Sequence, residues 1–205
     1  MNYPRAGTSD VWNWLKRQIK THLIEPFKES HAPVSHITRG ATIGMFVALT
    51  PTVGAQMYIS GAVWVICRYM FRYRFNLPIA IAMVWITNPI TTPPIYYGYY
   101  LIGDYLLSVW GKASPEMTYD LFVQMVVQLS DGEQGNLVQR ILAGLYVLLR
   151  EFGWPLLLGS LLVTIPVTVA TYPVTWSLMT RYRKRLASQA GLSYEDWKAK
   201  FVRPE

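Results

Sequence analysis

Cysteine occurs once in the chain, at Cys67, which excludes an intrachain disulfide and any cysteine-based metal cluster. The usual catalytic signatures are missing as well. There is no His-Glu-x-x-His, no glycine-rich phosphate loop ending in Lys and Ser or Thr, and no Gly-x-Ser-x-Gly turn. His22, His31 and His36 are the only histidines, and no carboxylate or cysteine pattern supports them as metal ligands. The expectation is a protein that is not an enzyme and holds no metal or cofactor. Charge is scarce too: 15% of residues are charged, against about 25% in soluble domains. Residues 40–67, 75–103 and 152–180 contain no Asp, Glu, Lys, Arg or His at all. Each stretch exceeds the roughly 20 residues needed to cross about 30 Å of hydrocarbon. A disordered chain and a two-domain soluble protein are thereby excluded. No apolar run precedes residue 40, so a cleaved secretory signal is not expected, and the first stretch would serve as an uncleaved insertion signal.

The charge that is present lies between these stretches. Residues 1–39 carry +3, residues 68–74 carry +3 from Arg68, Arg72 and Arg74, residues 104–151 carry −3, and residues 181–205 carry +4. Basic blocks mark the cytoplasmic side of a bacterial inner membrane. Because they flank apolar stretches, they read as membrane anchors rather than as a nucleic-acid surface.

Along the chain, residues 9–24 read as a basic amphipathic helix, lying in the membrane interface or packed on the protein's own cytoplasmic face, and ended by Pro26. A helix starting near Pro33 meets Thr50-Pro51-Thr52-Val53-Gly54, where the proline and glycine break it. The first stretch is then either a kinked span or a hairpin that breaks at mid-depth and leaves on the side it entered; the basic blocks at both its ends favour the hairpin. In the second stretch Pro89, Pro93 and Pro94 cannot share one regular helix, and irregular backbone at membrane depth needs shielding by protein or a wet cavity. Residues 104–151 read as a helical hairpin, with helices near 115–129 and 137–150. The third stretch spans, with kinks at Pro166 and Pro173, and ends at Arg181, Arg183, Lys184 and Arg185. The fold class is all-α: a polytopic membrane protein with proline-interrupted helices or re-entrant hairpins. Its expected parts are an interfacial segment over 1–32, a membrane domain over 33–180 with 104–151 inserted, and a basic cytoplasmic tail over 181–205.

Four segments carry a family resemblance: HLIEPFKESHAP at 22–33, GATIGMFVALTPTVGAQ at 40–56, FNLP at 75–78 after the arginines, and TNPITTPPIYYGYYLIG at 87–103. The chain resembles the bacterial membrane family catalogued as domain of unknown function 2062. Two hallmarks carry the likeness over roughly residues 15–180. One is Pro-x-x-Gly-x-Gln, here Pro51, Gly54 and Gln56; the other is Asn-Pro-x-Thr, here Asn88, Pro89 and Thr91. The resemblance implies an integral membrane protein and no particular reaction.

Polar residues inside the apolar stretches are the candidate site: Thr50, Thr52, Gln56, Asn88, Thr91 and Thr92, with Tyr96 and Tyr97 as candidate lining. They serve either as glue between broken helices or as a substrate site at facing half-helix ends. Positive half-helix N-termini would favour an anion. Asn88 is expected to face the same interior region as at least one of Thr50, Thr52 and Gln56. The leading functional expectation is a small transporter or lipid-handling protein, acting on a small polar or anionic substrate or a lipid headgroup. The alternative is a non-catalytic organiser that binds an envelope protein or a second copy of itself. A transporter needs a cavity reaching one membrane face, whereas an organiser can pack its breaks tightly. Two topologies remain: residues 104–151 outside, between one broken crossing and one return crossing, or all three stretches as hairpins with that region cytoplasmic.

Overall fold

The computed structural model describes residues 16–52, 55–88, 91–111, 118–124 and 153–202. Among them the regular elements are all helical. A π-helical segment, Ile19–Ile24, runs into α1, Glu25–Glu29. Pro26 does not end this helix. It sits in the first turn of α1, a position where the missing N–H costs little, and the chain turns out only at Ser30. Leu23 and Phe27 pack on the core, and His22 stacks on Trp85 with ring centroids 4.0 Å apart. The described part of the amphipathic segment therefore rests on protein. Residues 9–15 lie outside the described residues.

The first apolar stretch is a hairpin. α2, Val34–Leu49, begins directly after Pro33 and ends where Thr50 adopts an extended backbone. α3, Gln56–Tyr69, runs back beside it. Arg39, near the start of α2, stacks over the Tyr73 ring at 4.6 Å and donates to the Arg74 carbonyl at 3.4 Å. The basic 68–74 segment thus returns to the end of the molecule where α2 starts.

α4, Leu77–Val84, starts at that same end, because the Asn76 N–H donates to the His36 carbonyl at 3.0 Å. Asn76 caps it, its side-chain oxygen accepting from the Ile79 N–H at 3.1 Å, with Pro78 in the first turn. α4 then runs parallel to α2 at very close approach. A Cβ on Gly40 would collide with the Asn76 backbone, and one on Gly44 with the Ala80 backbone, so this Gly-x-x-x-Gly spacing lets the two helices touch. Three successive i→i−3 bonds, made by the N–H groups of Trp85, Ile86 and Thr87, close α4.

α5, Thr92–Val109, resumes beyond the break and packs antiparallel on α6, Gly153–Gln189. The crossing is again made by glycines: Gly103 abuts the Pro155 backbone and Gly159 abuts the Tyr99 backbone. α6 is about 55 Å long at 1.5 Å per residue. Pro166 and Pro173 lie inside it without interrupting it, and α2 packs along this part of it, between Thr164 on the Leu49 carbonyl and Arg183 on the linker that precedes α2. α6 ends in a Schellman turn. Gly191 adopts φ +68, the Leu192 N–H reaches the Ala187 carbonyl at 3.0 Å, and the Gly191 N–H reaches the Ser188 carbonyl at 3.1 Å. A short helix, α7, Tyr194–Phe201, capped by Ser193, folds back toward α6.

Two cores result. Val34, Ile37, Ala41, Ile79, Met83 and Met179 join α2, α4 and the second half of α6. Tyr96, Tyr99, Tyr100, Phe122 and Leu156 join α5 to the first half of α6. Among the described residues α6 is the one helix long and apolar enough to cross a membrane, and only 28% of its apolar window is buried. A helix at the centre of a soluble core would be mostly covered. Here Leu161, Leu162, Ile165, Val169, Val174 and Leu178 face outward instead. The expected second helix of the 104–151 insert, over 137–150, lies outside the described residues; of the first, only 118–124 is described.

Candidate functional site

The parallel course of α2 and α4 brings the two breaks together. α2 stops with its last carbonyls unpaired by any further helical turn, and those of Ala48 and Leu49 receive donors from other segments. The Gln56 amide Nε2 donates to the Ala48 carbonyl at 3.0 Å and approaches the Thr50 carbonyl at 3.5 Å. Thr164 of α6 donates to the Leu49 carbonyl at 3.2 Å, and the Tyr96 hydroxyl of α5 donates to the Thr50 carbonyl at 3.3 Å. Thr87 Oγ1 lies 3.0 Å from Gln56 Oε1, 3.0 Å from the Ala48 carbonyl and 3.2 Å from the Val84 carbonyl. A hydroxyl has a single proton to give. Since Gln56 already serves Ala48, Gln56 Oε1 is the acceptor that most needs it. Gln56, Thr87, Tyr96 and Thr164 are all buried, so the knot ties four segments to the end of α2 away from solvent.

The expected residues divide into two groups. Thr50, Gln56 and Tyr96 meet in the knot, and Thr52 joins through its N–H to the Thr50 carbonyl at 2.7 Å. Asn88, Thr91 and Thr92 instead build the start of α5. The Asn88 side-chain oxygen accepts from the Thr91 N–H at 3.0 Å, while the Asn88 N–H donates to Thr91 Oγ1 at 2.9 Å. This reciprocal exchange ties Asn88 to Thr91, the N-cap residue of α5. It gives the Asn-Pro-x-Thr hallmark a physical meaning. Thr92 is buried in the first turn, its N–H on the Asn88 carbonyl at 2.8 Å. Tyr97 packs edge-on against Tyr119 and Phe122, away from the knot's named partners.

Thr87, one position before Asn88, bonds Gln56 across the two breaks, and the Asn88 amide oxygen accepts from the Thr91 N–H. Thr164 was missed as well, because threonine in a long apolar helix carries no signal of its own until a broken helix end lies opposite. The chemistry also differs from the anion site expected at half-helix N-termini. What converges here is the carbonyl end of α2, and the protein's own donors are spent on it.

Beside the knot lies an open apolar groove of about 380 Å³ between α2, α5 and α6, lined among others by Met45, Leu49, Ile86, Ile95, Gly98 and Val163. Tyr99 also borders it; its buried hydroxyl faces Thr164 without a hydrogen bond of good geometry. No group of three or more His, Cys, Asp or Glu residues suited to a metal occurs among the described residues.

A helical protein whose described residues hold one membrane-length helix, with two broken helices stitched to it at the breaks, is the class that fold and site define. The chain belongs to the family described as "Uncharacterized protein conserved in bacteria (DUF2062)", which matches over residues 16–188. No curated protein and no solved structure matches it.

Proposed function

We propose that the protein is a multi-pass protein of the bacterial inner membrane that handles lipid, taking an acyl chain into the groove between α2, α5 and α6. Register along α6 supports the membrane placement. Thr164 marks the knot; Trp154 lies ten residues before it, and Arg39 lies ten residues back along antiparallel α2 from Leu49. Each interval is about 15 Å of helix, and together they match a hydrocarbon core of about 30 Å. Exposed Tyr105, Trp110 and Trp154 then mark one interface, and Tyr69, Phe71 and Tyr73 with the arginines mark the other. The α2–α3 pair re-enters, α4–α5 crosses, and α6 returns to a cytoplasmic tail.

The observation that carries the lipid reading is the groove itself, which is apolar and open. In the proposed placement it lies near the bilayer centre, a depth occupied by hydrocarbon tails. Gly98 offers a direct test, because a side chain there meets nothing within 4 Å. Gly98→Leu should fill the groove and keep the fold, since leucine also favours helix over glycine by up to about 1 kcal/mol. Photo-crosslinking to a phospholipid carrying a diazirine in mid-chain should fall several-fold at groove residues while the melting temperature holds. Undiminished crosslinking at Met45 and Val163 would remove the groove as a lipid site.

One observation favours a second reading, a carrier of small polar solutes. The π-helical segment bearing Lys20 packs along α4, with His22 on Trp85 at the second break. Basic side chains at this depth require protein or water rather than hydrocarbon beside them. Solute flux into proteoliposomes that depends on Thr87 but not on Gly98 would favour this reading.

A further inference from the structure

Arg183 lies beyond the apolar stretch of α6, and its side chain is only 2% exposed. One terminal nitrogen donates to the carbonyls of Ser30, at 3.0 Å, and Ala32, at 2.6 Å, clamping the linker between α1 and α2. The guanidinium sits 6.0 Å above the Trp197 ring. Burial lowers its pKa from the ordinary value, and the nearby Tyr194 acts weakly in the opposite direction. Arginine nevertheless stays protonated in proteins. Buried charges are normally paired. Among the described residues no carboxylate forms an ion pair with Arg183; the carboxylates of α7 are engaged elsewhere, Glu195 with Lys198 at 3.9 Å and Asp196 with Ser193 at 2.6 Å.

A cavity of about 110 Å³ opens beside this group. Phe27, Lys28, Ser30, His31, Arg183 and Trp197 are among its walls, and no acidic residue lines it. The two carbonyl bonds use Nη2 of Arg183, which leaves the N–H groups of Nε and Nη1 as separate donors. A charged N–H of this kind makes a strong single hydrogen bond to a phosphate oxygen. Lys28 and the imidazole of His31 stand at the mouth, both exposed.

We propose that this cavity is a binding site for a phosphate group, held by the charge and a remaining N–H of Arg183 and by Lys28 and His31. Two sources share that chemistry: the headgroup of an anionic phospholipid in the cytoplasmic leaflet and free phosphate. The site does not depend on the acyl-chain groove, which lies near Val163 and Val167 on α6, more than two helical turns from the Met179–Arg183 segment here.

The test uses the full-length protein in nanodiscs. In phosphatidylglycerol discs the melting temperature should exceed that in phosphatidylcholine discs. In phosphatidylcholine discs, titration with inorganic phosphate or with a soluble short-chain phosphatidylglycerol identifies which source binds. Lys28→Gln with His31→Gln leaves the Arg183 clamp intact and should weaken binding of the effective probe by about tenfold. Arg183→Lys keeps the charge but cannot hold both linker carbonyls and a phosphate oxygen from one planar group, and should weaken it further. A response to phosphatidylglycerol alone assigns a lipid headgroup; a response to both assigns the phosphate itself. No response to either probe, or one that the Lys28/His31 double variant leaves unchanged, overturns the site. Gly98→Leu should leave this binding unaltered, so the two proposals fail separately.

Discussion

Gly159→Leu should prevent the protein from reaching its folded state in a membrane. At this position α6 touches the backbone of Tyr99, so a side chain has no flexible neighbour to displace. Helices α5 and α6 would have to separate along their whole contact, which includes the Gly103–Pro155 approach. Overpacking ordinarily costs about 1–3 kcal/mol, and two backbones forced apart place this case at or above the top of that range. The expected result is loss of monodisperse protein after detergent extraction, or a melting temperature lowered by far more than in any polar variant. Gly61→Leu is the matched control, since a side chain there meets nothing within 4 Å. If Gly159→Leu behaves like Gly61→Leu, the helix crossing described here is wrong.

The second large effect concerns the knot. Gln56→Leu removes the donor to the Ala48 carbonyl and the acceptor for Thr87 at once. Leaving buried polar groups unpaired costs about 1–3 kcal/mol. Thr87→Val removes the opposite end of the same contact. In a double-mutant cycle the pair should cost clearly less than the sum of the single changes, because either one already breaks the link. Unfolding titrations in mixed micelles read this directly. Strict additivity would mean that Gln56 and Thr87 do not meet.

Much of this architecture is legible in the sequence, and particular residues show why. Charge-free runs and prolines locate the helices and both breaks, because a missing N–H and an unpaired charge in hydrocarbon are local costs that any arrangement must meet. Arg68, Arg72 and Arg74 favour the hairpin for the same reason. Pro26 shows the limit of such reasoning. A proline in a first turn need not break anything, and its surroundings decide. The site is half legible. Gln56 and Tyr96 stand out as polar groups in apolar runs, whereas Thr87 and Thr164 gain meaning only when the carbonyl end of α2 is set against them. The close approaches at Gly103 and Gly159 are equally silent in sequence, since glycine has several uses in a helix.

In the proposed topology α2–α3 re-enters while α4–α5 crosses, so that the two apolar stretches put their far ends on opposite faces. Single cysteines in a Cys67→Ser background test it in intact cells with a membrane-impermeant maleimide. Arg72→Cys in the basic loop and Ser188→Cys at the end of α6 should stay protected until lysis. Ser108→Cys, exposed near the end of α5, should label without lysis. Protection of all three until lysis would contradict the account, because the second stretch would then return to the cytoplasm as the first one does.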